Sequence, residues 1–215
     1  MDKRFLGILV AVVLALGGVF WLTRDKSQTS TSNTSSGKVQ PSNHTLGEGK
    51  SGVTFVEYAD FQCPACGAYH PILQEVKEKY KDQVTFQFRS FPLVQIHQNA
   101  RAAHRAAEAA AKQNKFWEMH DLLYENQQVW SEQSDPKSTF EGFAKQLGLD
   151  TQKYNQDFAS DEVNDVINAD FNEGSKLGVN STPTFFLNGQ KVSDAPKDVD
   201  GFSKLLDEAI KQKKQ

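Results

Sequence analysis

Cys63 and Cys66 are the only cysteines in the 215-residue chain, and Pro64 and Ala65 lie between them. Thiols that close along a chain cannot staple distant parts of a fold. They can form a bond with each other and pass it on by thiol–disulfide exchange, provided one sulfur is available as a thiolate. The pair follows the apolar run Val53–Ala59 and precedes a stretch with helical spacing through Tyr69, Ile72, Leu73, Val76 and Tyr80. Cys63 is therefore predicted at a helix N-terminus, where free N–H groups and a positive partial charge stabilise a thiolate. Pro64 suits the first helical position. Cys63 reads as the nucleophile, and Cys66, one turn in, as the sulfur that resolves a mixed disulfide. A buried structural bridge or half of a zinc site are the alternatives the pair leaves open. Zinc takes about four ligands; there is no second cysteine pair, and His70 stands in the sequence without an evident ligand cluster. No metal and no organic cofactor are expected.

The elements that must position this pair are legible from periodicity. Val53–Ala59 reads as a buried strand and 84–91, alternating through Val84, Phe86 and Phe88, as a second, so strand, helix and strand form a right-handed βαβ unit. From about 95 to 178 no convincing strand occurs. Helices are predicted over 97–112, with eight alanines from Ala100 to Ala111, and over 116–125, 139–147 and 161–177, with a short one starting at Asp150-Thr151. Thr184–Leu187 gives a third strand, Asn188-Gly189 a type I′ hairpin, and 190–192 the returning strand. Residues 198–211 close the domain as a helix with Phe202, Leu205, Leu206 and Ile210 on one face. The predicted fold is α/β: βαβ, a helical insertion, then ββα. Phe116, Trp117 and Trp130 read as core of the insertion, and His97 and His104 as partly exposed residues of one helix face.

Ahead of the domain, Phe5 to Leu22 is a run of eighteen apolar or glycine residues, about 27 Å long as a helix and matched to a bilayer core. Lys3 and Arg4 precede it, which predicts residues 1–4 in the cytoplasm, an anchor over 5–22 and the remainder outside. A cleaved signal peptide is the competing reading, but the run ends in the bulky Val19-Phe20-Trp21-Leu22 rather than a small-residue site. Residues 23–45, polar through Ser27 to Ser36, read as a flexible tether, and 46–215 as one domain. A net charge of −3, with signs interspersed, gives no reason to expect nucleic-acid binding.

The stretch Phe55-Val56-Glu57-Tyr58-Ala59-Asp60-Phe61-Gln62-Cys63-Pro64-Ala65-Cys66 resembles the strand and active-site turn of DsbA-like thioredoxin-fold proteins. The resemblance covers about residues 46–213, including the insertion that separates this group from plain thioredoxin. It implies a cis-proline at Thr182-Pro183 facing the cysteines, which keeps a backbone edge open for an extended substrate beside Pro64 and Ala65. It also implies that Glu57 is a buried glutamate that helps move the proton of Cys66. Its bland alternative is a solvent-facing strand position. Pro71 matches a helix kink and is read as structural. The Pro-Ala between the cysteines departs from the Pro-His of the best-known strong oxidant, so that protein's very low thiol pKa does not carry over.

These readings converge on a membrane-tethered extracytoplasmic thiol:disulfide oxidoreductase that donates a disulfide to reduced exported polypeptides. The resemblance further implies reoxidation by a membrane quinone-linked partner. A monomer is expected, because the tether carries no heptads. Isomerisation or reduction at the same site, and a non-catalytic binding module, are the alternatives.

Overall fold

The computed structural model describes residues 39–215. The expected anchor over 5–22 and all but the end of the tether fall outside the described residues. Among those described, no helix is long and apolar enough to cross a membrane.

The order of elements is β1 (His44–Leu46), β2 (Val53–Ala59), α1 (Pro64–Tyr80), β3 (Val84–Ser90), α2 (Ala100–Ala111), α3 (Phe116–Glu125), α4 (Gln127–Trp130), α5 (Lys137–Gln146), α6 (Thr151–Ala159), α7 (Asp161–Lys176), β4 (Thr184–Leu187), β5 (Gln190–Lys191) and α8 (Val199–Lys213). The strands form one five-stranded sheet in the order β1-β3-β2-β4-β5. β2 and β3 run parallel in register from Val53↔Val84 to Ala59↔Ser90, which is the βαβ unit the sequence predicts. β4 pairs antiparallel with β2, setting Glu57 opposite Phe185 and Tyr58 opposite Thr184. Asn188 (φ 52°) and Gly189 (φ 80°) both take the left-handed backbone that a type I′ turn requires.

β2 is covered on both faces, which explains its nearly continuous apolar sequence. On one face Phe55, Phe86 and Phe185 pack against Leu73 and Val76 of α1 and Phe202 and Leu206 of α8. Phe55 lies 5.4 Å from Phe185 in a stacked pair and 5.8 Å from Phe202 edge-on. Each such ring stabilises the fold by about 1.5–3 kcal/mol through burial. On the other face α7 lies close: a Cβ on Gly174 would stand 2.8 Å from the Tyr58 ring. A glycine is needed there for space. The insertion has its own core, in which the alanines of α2 meet Met119, Leu123, Trp130, Phe140 and Tyr154. Phe116 and Trp130 are buried in it and Trp117 packs against its edge. Aspartate caps start α6 and α8, Asp150 accepting from Lys153 N and Asp198 from Gly201 N.

Two features differ from the sequence reading. The ordered domain begins before residue 46: β1 pairs with β3, and Ser42 is fixed to Asp170 of α7 through N (2.8 Å) and Oγ (2.7 Å). His-Thr-Leu has no alternation to signal a strand; tertiary partners hold it. His44 stacks 3.6 Å from Phe116, and Trp117 Nε1 donates to Thr45 O at 3.0 Å. The second difference concerns the histidines. α2 starts at Ala100, so His97 precedes the helix, and His104 is wholly buried with Nδ1 2.9 Å from Ser90 Oγ.

Candidate active site

The turn Asp60–Cys63 carries the thiol pair out of β2 and into α1. Asp60, fully buried, organises it: one carboxylate oxygen accepts from Gln62 N (2.8 Å), the other from Leu93 N (2.8 Å) and lies 2.8 Å from His97 Nδ1. Its backbone carbonyl accepts from Cys63 N at 3.0 Å. Gln127, at the start of α4, donates from Nε2 to the carbonyls of Phe61 (2.7 Å) and Cys63 (2.9 Å). Gln62 clasps the insertion in turn, donating to Ser131 O and accepting from Asn99 N. The turn is thus held by polar groups from the segment after β3, α2 and α4. None of Asp60, Gln62, Asn99 or Gln127 was picked out by sequence reasoning. Asp60 alone gave a signal, as an acidic residue beside an apolar strand.

Cys63 is the N-cap of α1 and Pro64 its first helical residue. Cys63 is 7 % exposed and Cys66 1 %, and both are free thiols. Pro64 and Ala65 are exposed beside them. The Cys63 pKa is pulled down from 9.0 to about 5. The Cys66 thiol, which donates to the Cys63 sulfur, is the largest cause; partial burial opposes it. The Thr182 side chain and the N–H groups of Cys66 and Ala65 then assist. Burial pushes the Cys66 thiol well up, and the Cys63 and Glu57 charges push it further. The two sulfurs are therefore driven apart, one toward thiolate and one toward thiol.

The Thr182–Pro183 peptide bond is cis, and Thr182 O lies 3.4 Å from Cys63 Sγ. Glu57 is 6 % exposed, which excludes a solvent-facing position. Burial raises its pKa from 4.5 to about 7, against the attraction of the buried Lys77. Cys63, Cys66, Thr182 and Pro183 meet at one place, Pro64 and Ala65 form its outer rim, and Glu57 lies within electrostatic reach of Cys66. The structure also brings together His70, His120 and Asp121, which the sequence left apart.

A family model described as thioredoxin matches residues 39–208. The chain belongs to the thioredoxin family. Its fold matches a thioredoxin-like oxidoreductase from Silicibacter pomeroyi, with a TM-score of 0.65 and 26 % identity over 79 % of this chain and 92 % of that one. It also matches BdbD from Bacillus subtilis, with a TM-score of 0.69 and 22 % identity over 81 % and 97 %. Among curated relatives, a probable disulfide bond formation protein D of Bacillus cereus is 29 % identical over 174 residues, 78 % of each chain. A Na(+)/H(+) antiporter, NhaA 3 of Salinispora tropica, is 38 % identical over 148 residues, 69 % of this chain. The chain spans only 22 % of that antiporter's length.

Proposed function

We propose that this thioredoxin-family protein is a thiol:disulfide oxidoreductase of the DsbA-like kind, working as a disulfide donor. The observation that carries the reading is the asymmetry of the pair: Cys63, at the N-cap of α1, is drawn toward thiolate at about pKa 5, while Cys66, one turn in, is held as a thiol. A thiolate favoured in the reduced protein is a good leaving group and makes the corresponding disulfide a stronger oxidant. The name of the B. cereus relative and the likeness to the S. pomeroyi oxidoreductase support the same class.

In the proposed reaction, a substrate thiolate attacks Cys63 Sγ of the oxidised pair. The Cys63–Cys66 bond breaks, its electron pair passes to Cys66, and Cys66 takes up a proton. Glu57, titrating near neutrality, is suited to supply that proton. The substrate's second thiolate then attacks its own sulfur in the mixed disulfide and expels Cys63 as a thiolate. Two electrons have moved from substrate to protein. The extended substrate would lie along the backbone beside cis-Pro183.

The apolar run Phe5–Leu22 supports tethering at the outer face of a membrane, with reduced exported polypeptides as substrates. A quinone-linked membrane partner would return the dithiol to its disulfide. The test is the reduction potential of the full-length protein in glutathione buffers, alongside Cys63→Ser. A donor gives a value nearer to about −120 mV than to about −270 mV, and Cys63→Ser abolishes exchange. A value at the thioredoxin end would make it a reductase, and activity surviving in Cys63→Ser would make the pair structural.

A further inference from the structure

α1 and α3 face each other through buried polar groups that the exchange chemistry does not use. His70, one turn beyond Cys66 on α1, lies with its ring centroid 5.5 Å from that of His120 on α3. His70 is 6 % exposed and His120 1 %. Neither ring nitrogen of His70 has a hydrogen-bond partner, and His120 Nε2 has none. His120 is otherwise caged by the rings of Phe61, Phe88 and Tyr124. In such surroundings an unpartnered imidazole nitrogen is costly, and a phenylalanine would fill the space without that cost. A third group reaches the same point: Asp121 Oδ1 is 2.8 Å from His120 Nδ1 and 4.0 Å from His70 Nε2.

We propose that His70, His120 and Asp121 bind a divalent transition cation of the zinc type, bridging α1 to α3. One ligating atom of each residue lies within 4.8 Å of the other two. Bonds of about 2.0–2.1 Å in tetrahedral geometry place neighbouring ligands about 3.3 Å apart, so side-chain shifts of under about 1 Å close the site. Two imidazoles and one carboxylate suit zinc, whereas calcium and magnesium take oxygen ligands. Burial lowers the pKa of both rings, His70 to about 4, which keeps them in the neutral form that ligates. The Asp121 side chain is 41 % exposed and lines a surface cleft with Gln74, Lys77 and Trp117, so an ion can enter there and keep a water as its fourth ligand. The Lys77 and Lys81 ammonium groups in that cleft oppose a cation; Glu78, paired with Lys81, and the Asp121 carboxylate offset them. The site is therefore an exchangeable clamp between the active-site helix and the insertion rather than a closed structural centre.

The test is a cobalt(II) titration of the full-length protein with Cys63 and Cys66 oxidised to the disulfide, so that no thiolate competes for metal. One equivalent of Co²⁺ should give the visible d–d bands of a four-coordinate nitrogen and oxygen site, without sulfur charge-transfer bands. Zn²⁺ should displace it. An excess of about a hundredfold over Kd should raise the unfolding midpoint by roughly 5–10 °C. His70→Phe, which keeps the ring contacts, and Asp121→Ala should each weaken binding by about tenfold or more. Absence of the bands, or equal binding in both variants, would overturn the site and leave the ring nitrogens to buried water. If His70→Phe does not fold, undiminished binding by Asp121→Ala is sufficient to reject it.

Discussion

Cys63 Sγ lies 3.4 Å from the backbone oxygen of Thr182, while the first turn of α1 supplies its N–H donors. That carbonyl accepts from the protonated thiol, so it favours the neutral form. The Thr182 hydroxyl is buried with no partner of its own and can turn to donate to a thiolate. The Cys66 thiol is nonetheless the largest cause of the low Cys63 pKa. Cys66→Ala should therefore shift the pH midpoint of Cys63 alkylation upward from about 5, by more than one unit, toward 9.0. Thr182→Val should move it by less. A Cys66→Ala midpoint that stays near 5 would assign the thiolate's stability to the helix N-terminus instead.

Gln127 holds the turn from outside. Its amide donates to two carbonyls, of Phe61 and Cys63, and a Cβ on Gly67 would stand 2.6 Å from its oxygen. Gln127→Ala takes a donor from each carbonyl; Cys63 O keeps Gly67 N at 3.1 Å, so the loss at Phe61 O sets the cost, at about 1–3 kcal/mol. The expected outcome is a drop of that size in urea unfolding, together with faster hydrogen exchange confined to 60–67. The Cys63 midpoint should move less than in Cys66→Ala, because Gln127 touches the backbone and not the sulfur.

What the sequence showed and what it hid have a common physical origin. β2, α1 and β3 were legible because burial writes itself into local periodicity: both faces of β2 are covered, and α1 buries Cys66, His70, Leu73, Val76 and Tyr80 at helical spacing. The Asn188-Gly189 turn and the helix start at Asp150-Thr151 are local chemistry and were equally legible. The roles of Asp60, Gln127 and Asp170 were not, since most of their partners lie more than thirty residues away along the chain. Ser42 and Asp170 are 128 residues apart. His104 misled for the same reason: helical spacing gave its face, but only tertiary packing puts Ser90 beside it.

Asp170 is the tie between the start of the domain and its sheet. Its carboxylate accepts from Ser42 N and Oγ and from Ser90 N (2.9 Å), and it pairs with Arg89 at 3.3 Å. Asp170→Ala strips four donors of one acceptor inside the protein. Removing one partner of such a buried pair costs about 3–5 kcal/mol. Urea unfolding should report that loss, and limited proteolysis should open the chain near residues 39–46. Asp170→Asn, which keeps one acceptor oxygen, should lose less. If proteolysis in that segment is unchanged, its order comes from the His44 and Thr45 contacts rather than from Asp170.

Glu57 makes the stability of the fold depend on pH in a definite direction. Its pKa is 4.5 when unfolded and about 7 when folded, with burial as the main cause. Below about 4.5 the carboxyl is protonated in both states and contributes nothing. Between 4.5 and about 7 the unfolded chain ionises while the folded protein keeps its proton. The folded state then binds more protons, so stability falls as pH rises. Above about 7 both are ionised and the loss is complete, at roughly 3 kcal/mol. Glu57→Gln removes this titration. The Lys77 attraction acts only on the ionised carboxylate and is already contained in the folded pKa of about 7, so it is not counted a second time. The measurable quantity is therefore the slope: variant minus wild-type stability should rise by roughly 3 kcal/mol across the window in urea unfolding. A difference that stays flat with pH would mean that Glu57 does not titrate there, and would remove it as the proton donor to Cys66.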